Sequence, residues 1–176
     1  MHLATKACAA VAILALLASS DCNRATLYEW HTFEAPDGTF SVALPGNAAR
    51  KDIPTKSGTG GTFISHSLAV RASKSAAYAC SWWEDPSLTG QTAEQILRTA
   101  EDSGLSGVSG RLLGEEQFTL QGHPARDIRG TTQGNAAYDN RLVLVGHRLY
   151  SLLVVDVSGK RDSQNVKKFF NSLELQ

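Results

Sequence analysis

The sequence predicts a single α/β domain, an α/β/α sandwich whose mainly antiparallel sheet is flanked by helices. Three observations predict it. Apolar and polar residues alternate through most of the chain beyond residue 27, turn residues separate the successive runs, and two segments switch to helical spacing. With 176 residues, 42% hydrophobic and 19% charged, the chain suits one globular core without metal or disulfide staples.

The elements follow in order. Tyr28 to Phe33 is β-prone, Pro36-Asp37-Gly38 is a turn, and Phe40, Val42 and Leu44 alternate before Pro45-Gly46 ends the run. Ala48 to Lys56 holds a short edge strand, because Pro54 cannot donate to a central ladder. Gly58-Thr59-Gly60-Gly61 is a hairpin loop. Ile64, His66, Leu68 and Val70 then share one strand face, and Tyr78, Cys80 and Trp82 share a face of the next strand. Ala93, Ile96, Leu97 and Ala100 form a helical stripe, with Thr92 and Gln95 as a capping box and Gly104 as the expected C-terminal cap. Strands resume at Leu112 to Leu120 and, after the Gly122-His123-Pro124 break, at Ala125 to Thr131. Arg141 to Val145 and Leu149 to Val157 bracket the hairpin turn Gly146-His147-Arg148. Both faces of the last strand are mostly apolar, which predicts burial on both sides. Ser163 is placed to cap a second helix, with Val166, Phe169, Phe170 and Leu173 as its stripe.

The amino terminus carries a different signal. Lys6 precedes an unbroken apolar run from Ala7 to Ala18, followed by Ser19-Ser20-Asp21-Cys22. A run of about twelve residues is too short to span a bilayer and has the form of a bacterial export signal. The expected organisation is a signal peptide over 1–20, a tether over 21–26 and one domain over 27–176. Cations and anions balance at 17 each, and cleavage after Ser20 removes only Lys6. Without a basic excess to neutralise phosphates, nucleic acid is not an expected partner. Cys8 falls inside the signal. Cys22 lies where a lipidated cysteine would, although Asp21 stands where a lipobox needs a small residue. Ordinary cleavage after Ser20 is the competing reading, leaving Cys22 free or paired with Cys80. An isolated cysteine opening a polar tether favours lipidation, and any membrane attachment is expected only through that lipid.

Several positions together have a familiar form. Trp30-x-x-Phe33 leads into Pro36-Asp37-Gly38-x-Phe40-x-Val42-x-Leu44-Pro45. Leu120-x-Gly122-x-Pro124, Arg141-x-Val143-x-Val145-Gly146-x-Arg148-Leu149-Tyr150 and Phe169-Phe170-x-Ser172-Leu173 follow. From Tyr28 to Leu175 the chain resembles bacterial exported proteins of the PsbP-like fold, shared with Ran-binding Mog-type proteins. Every matched position is a turn former or a core residue. The resemblance therefore implies a fold and a non-enzymatic accessory or binding role, and it assigns no ligand-contacting residue.

No motif points to a cofactor. His31, His66, His123 and His147 are the candidates for a metal, but they lie more than twenty residues apart and lack the close pair usual in zinc sites. His123 and His147 read as turn residues, and His66 as a hydrogen-bonded, half-buried one. Ser103 to Gly110 lacks the spacing of a nucleophile elbow and reads as a flexible loop. Gly58 to Gly61 lacks the Lys-Ser/Thr of a phosphate loop. Cys80 reads as a small buried residue, and Lys167-Lys168 as a solvated helix face. Trp82-Trp83-Glu84 is the candidate binding cluster. Adjacent strand residues face opposite ways, so one tryptophan is expected in the core and the other on the second face or the surface. The same rule separates Glu84 from Asp85 as an acid–base pair.

The reading is an exported, non-catalytic binding or accessory domain of the bacterial cell envelope, with an unidentified protein or small-molecule partner. The alternative is a secreted hydrolase or metal-dependent enzyme whose site is assembled from dispersed histidines and carboxylates.

Overall fold

A computed structural model describes residues 29–57 and 60–176. The export signal, the tether, Cys22 and the loop residues Gly58 and Thr59 lie outside the described residues.

The strands form two antiparallel sheets. The smaller has the order β1-β2-β10, from Trp30–Glu34, Phe40–Pro45 and Glu174–Leu175. The larger contains β3 (Ala49–Lys56), β4 (Thr62–Arg71), β5 (Ala76–Glu84), β6 (Arg111–Leu120), β7 (His123–Thr131), β8 (Ala137–Val145) and β9 (Arg148–Asp156). Its order is β3-β4-β5-β9-β8-β7-β6. Helix α1 spans Ala93–Gly107 and α2 spans Ser163–Asn171.

Strand β9 organises the interior. Its residues alternate between two cores: Tyr150, Leu152 and Val154 face one, Leu149, Leu153 and Val155 the other. A pleated strand sends successive side chains to opposite faces, so a run with both sets apolar must be covered twice. On the second face lies α1, through Ile96, Leu97 and Leu105. On the first lie Phe40, Val42 and Leu44 of β2 together with Phe169 and Phe170 of α2.

A helix lies on each face, as expected, but the flanking layers are not both helical. A nine-residue helix is about 14 Å long, whereas seven strands span about 29 Å. Helix α2 cannot cover that width. The amino-terminal hairpin fills the remainder, and the two residues of β10 add a third strand beside β2 at Phe40 and Ser41. The domain is therefore dominated by sheet, with one face closed by a helix and the other by a small sheet plus a short helix.

The capping box at α1 forms as its sequence predicts. Thr92 Oγ1 accepts from the Gln95 amide at 3.3 Å, and Gln95 Oε1 accepts from the Thr92 amide at 2.9 Å. Gly104 does not end the helix. It sits within α1, where a Cβ would come 2.7 Å from the Tyr138 hydroxyl, so glycine there allows the helix to lie close on β8. The helix continues to Gly107, so Ser103 to Gly107 is not the flexible loop expected. Asp162 rather than Ser163 caps α2, accepting from the Asn165 amide at 3.1 Å. β8 begins at Ala137, four residues earlier than expected. β3 is an edge strand, and Pro54 sits on it.

A buried charge cluster pins α1 to the sheet. Arg126 of β7 is fully buried, and its Nη1 donates to Glu101 at 2.5 Å and to Glu115 at 2.9 Å. Its Nη2 donates to Glu94 at 2.7 Å, and Gln117, with its amide oxygen toward the guanidinium, accepts at 2.9 Å. Glu101 is buried with Arg126, so removing the guanidinium would leave that carboxyl buried without its ion-pair partner, a loss of about 3–5 kcal/mol, whereas Glu94 and Glu115 keep access to water. Burial raises the Glu101 pKa above the ordinary glutamate value, and its hydrogen bond with Glu115 adds to the rise, while Arg126 opposes it. A carboxyl whose pKa rises on folding binds its proton more tightly in the native state. Its stabilising contribution is complete below the unfolded glutamate value and is lost as pH rises through the folded one. Glu101→Gln removes that titration while keeping an oxygen for Arg126. Denaturant melts across the acid-to-neutral range should find the variant gaining stability relative to the parent as pH rises. A constant or shrinking difference would contradict the shift.

Candidate functional site

The Trp82-Trp83-Glu84 cluster is divided between the faces of β5. Trp82 is 6% exposed and packs in the first core against Phe40, with ring centroids 4.9 Å apart. Trp83 is half-buried against the α1 core. Glu84 is exposed and accepts from Arg148 Nε at 2.9 Å. The neighbouring Asp85 accepts from Ser57 Oγ at 2.6 Å and from the Ser87 amide at 2.9 Å, capping the 3-10 turn Pro86–Leu88. The two carboxylates thus serve separate partners.

Arg148 also reaches the smaller sheet, donating to Asp37 at 2.9 Å and Thr39 at 2.8 Å. Asp37 is held below the ordinary carboxylate value, chiefly by the Thr39 hydroxyl. Beside this corner, Asp52 faces His66 Nδ1 at 2.8 Å and Arg50 Nε at 3.3 Å. Those hydrogen bonds, that from His66 first, lower its pKa. The His66 imidazole stacks on Trp82 with centroids 5.1 Å apart. Arg50 lies over the same indole at 5.9 Å. The corner is a layered shield over Trp82, with its charges already partnered.

The histidines do not gather as one set. His31 is on β1, 4.0 Å from Glu29, and His66 belongs to the Trp82 corner. Among the described residues no three His, Cys, Asp or Glu side chains are placed to hold a metal ion. His123 and His147 line one cleft of about 270 Å³.

The topology explains that meeting. The β6–β7 turn and the β8–β9 turn lie at the same end of the large sheet, and α1 starts there after the segment leaving β5. Gly122 and Gly146 adopt φ of +85° and +59°, which allows tight turns beside each histidine. Gly90, at φ +83°, bends the approach to α1. Leu88, Ala93, Ile96, Pro124 and Leu144 give the cleft an apolar wall, while Gln91, His123 and His147 contribute its polar side chains. His123 is half-buried and His147 exposed. Among the described residues no carboxylate lines the cleft. Sequence separation conceals this pair; its available signal is that each histidine follows a glycine and reads as a turn residue.

Lys168 on α2 lies with its ammonium 4.5 Å from the centre of the Trp30 ring, so one of the two predicted solvated lysines covers an aromatic.

No family model matches the chain, and no curated protein matches it in sequence. Among solved structures, cyanobacterial PsbP (CyanoP) from a Synechocystis species is similar with a TM-score of 0.60 at 9% identity, over 89% of this chain and 98% of that one. A Pseudomonas aeruginosa protein of unknown function is similar at a TM-score of 0.45 and 10% identity, over 82% and 94% of the two chains. The first likeness shows a PsbP-like fold, in agreement with the sequence resemblance.

Cys80 is fully buried, and burial pushes its thiol up to about 12. Thiolate is the reactive form. In a chain carrying Cys8→Ser and Cys22→Ser, a thiol reagent at neutral pH should label Cys80 only after denaturation. Rapid labelling of the native protein would contradict its place in the core.

Proposed function

We propose that this chain is an exported, non-catalytic binding or accessory domain of the bacterial cell envelope, held there by a lipid on Cys22. The observation that carries the non-catalytic part is the commitment of the charged side chains. Asp52, Glu84, Asp37, Glu94, Glu101 and Glu115 all take part in ion pairs that join strands, turns or layers. A general base needs hydrogen-bond reach to a reacting proton, and these carboxylates are engaged elsewhere. The His123–His147 cleft instead offers apolar surface and a few polar side chains, a composition suited to recognition. The PsbP-like fold agrees with this role.

Export rests on Lys6, the Ala7 to Ala18 run and the small residues before Asp21. No described helix is long and apolar enough to cross a membrane. A diacylated Cys22 would provide stable attachment where a single chain would not. The hydrolase alternative would draw on His123 and His147, but among the described residues no carboxylate stands in the wall of their cleft to orient or supplement them.

Two measurements test the proposal. Expressed with its own amino terminus in a bacterial host, the chain should fractionate with the envelope and carry diacylglycerol mass at Cys22. A mature chain beginning at Asp21 without lipid would remove the anchor. Ester, phosphomonoester and peptide substrates should be turned over no faster by the parent than by a His66→Ala, His123→Ala, His147→Ala variant. Turnover lost in that variant would contradict the non-catalytic reading.

A further inference from the structure

We infer that the His123–His147 cleft is a binding site for a small apolar carboxylate, such as an aryl or short alkyl acid. The inference rests on the binding-domain reading and adds the chemistry of the ligand.

Three features select this class. The first is size: about 270 Å³ lies just below the ~300–1,000 Å³ of pockets for drug-sized ligands, so a fragment with one ring or a short chain fits. The second is the wall. Ala93 and Ile96 of α1, Pro124 and Leu144 of the sheet and Leu88 of the segment between β5 and α1 all line it. Burying an apolar body against these groups provides the gain, at roughly 25 cal/mol per Å² removed from water. The third is polarity. Among the described residues the cleft has two imidazoles and one carboxamide but no acidic side chain. Imidazole N–H groups donate to a carboxylate, and a carboxylate can accept from two of them at once. Gln91 Nε2 donates one of its two hydrogens to the Ser87 carbonyl at 3.0 Å, so at most one further donor from it joins the histidines at the headgroup.

The cleft is framed by two tight hairpin turns and the capped first turn of α1. That turn is fixed by the Thr92–Gln95 box and by the Glu94 contact with buried Arg126. The wall is therefore largely preformed, which limits the ordering cost on binding. An amine ligand would find no counter-charge, and a neutral amide would gain less from the two donors.

The test is an NMR titration of the purified, isotope-labelled chain with phenylacetate, phenylacetamide and acetate. Phenylacetate should give saturable shifts in the His123 and His147 rings and at Ala93 and Leu144. Phenylacetamide and acetate, lacking the charge or the apolar body, should bind about tenfold or more weakly. His123→Gln with His147→Gln should retain the parent's dispersed spectrum and lose the preference for phenylacetate over phenylacetamide. Equal binding of acid and amide by the parent would overturn the carboxylate assignment while leaving the cleft as a binding site. Absence of saturable shifts at the cleft with every probe would overturn the inference altogether. Neither result bears on turnover, which the substrate assays measure separately.

Discussion

The two-sided burial of β9 is the constraint on which the rest of the structure depends. Leu149 to Val155 presents apolar groups to both faces, and the partner strands β5 and β8 continue both surfaces. Neither face can be left to water, so the chain must provide two covers. One is a single fifteen-residue helix. The other is assembled from both ends of the domain, the β1–β2 hairpin at the start and α2 with β10 at the finish. Residues nearly as far apart as the domain allows, Phe40 and Leu175, become neighbours in one ladder.

Arginines then tie the covers to the sheet. Arg126 holds α1 through Glu101. Arg141 bridges Asp127 at 2.7 Å and the Phe170 carbonyl at 3.1 Å, joining β8 to the end of α2, and it also lies over Phe118 and Phe170. Arg161, ahead of α2, reaches Asp139 at 3.1 Å and the Gly130 carbonyl. Arg148 binds the β1–β2 turn through Asp37. Each guanidinium spans two elements with its fork of donors, a geometry lysine does not offer. The same economy shapes the candidate site: charges spent between layers leave the cleft to aliphatic groups, an amide and two histidines.

Much of this was legible in the sequence because local chemistry and tertiary placement agree. The Thr92–Gln95 box, the Gly146 hairpin, the edge position of Pro54 and the doubly apolar β9 each carry their meaning in a few adjacent residues. What escaped reading depends on distant ones. Gly104 has the form of a helix stop, and only Tyr138 beneath it explains a glycine within the helix. Phe40, Val42 and Leu44 alternate like any strand, and periodicity does not say which sheet a strand joins. Arg126 is indistinguishable from a surface cation until Glu94, Glu101 and Glu115 converge on it. The opposite faces of Trp82 and Trp83 followed from strand alternation, whereas the meeting of His123 and His147 required the large sheet's topology.

If the arginine ties make both covers part of one cooperative unit, neither should open alone. Native-state hydrogen exchange tests this most directly. Amides in the middle of α1, in β2 and in β9 should exchange with the same, highest opening free energy and the same denaturant dependence. An α1 or β2 that exchanges through a separate, cheaper opening while β9 stays protected would contradict the account.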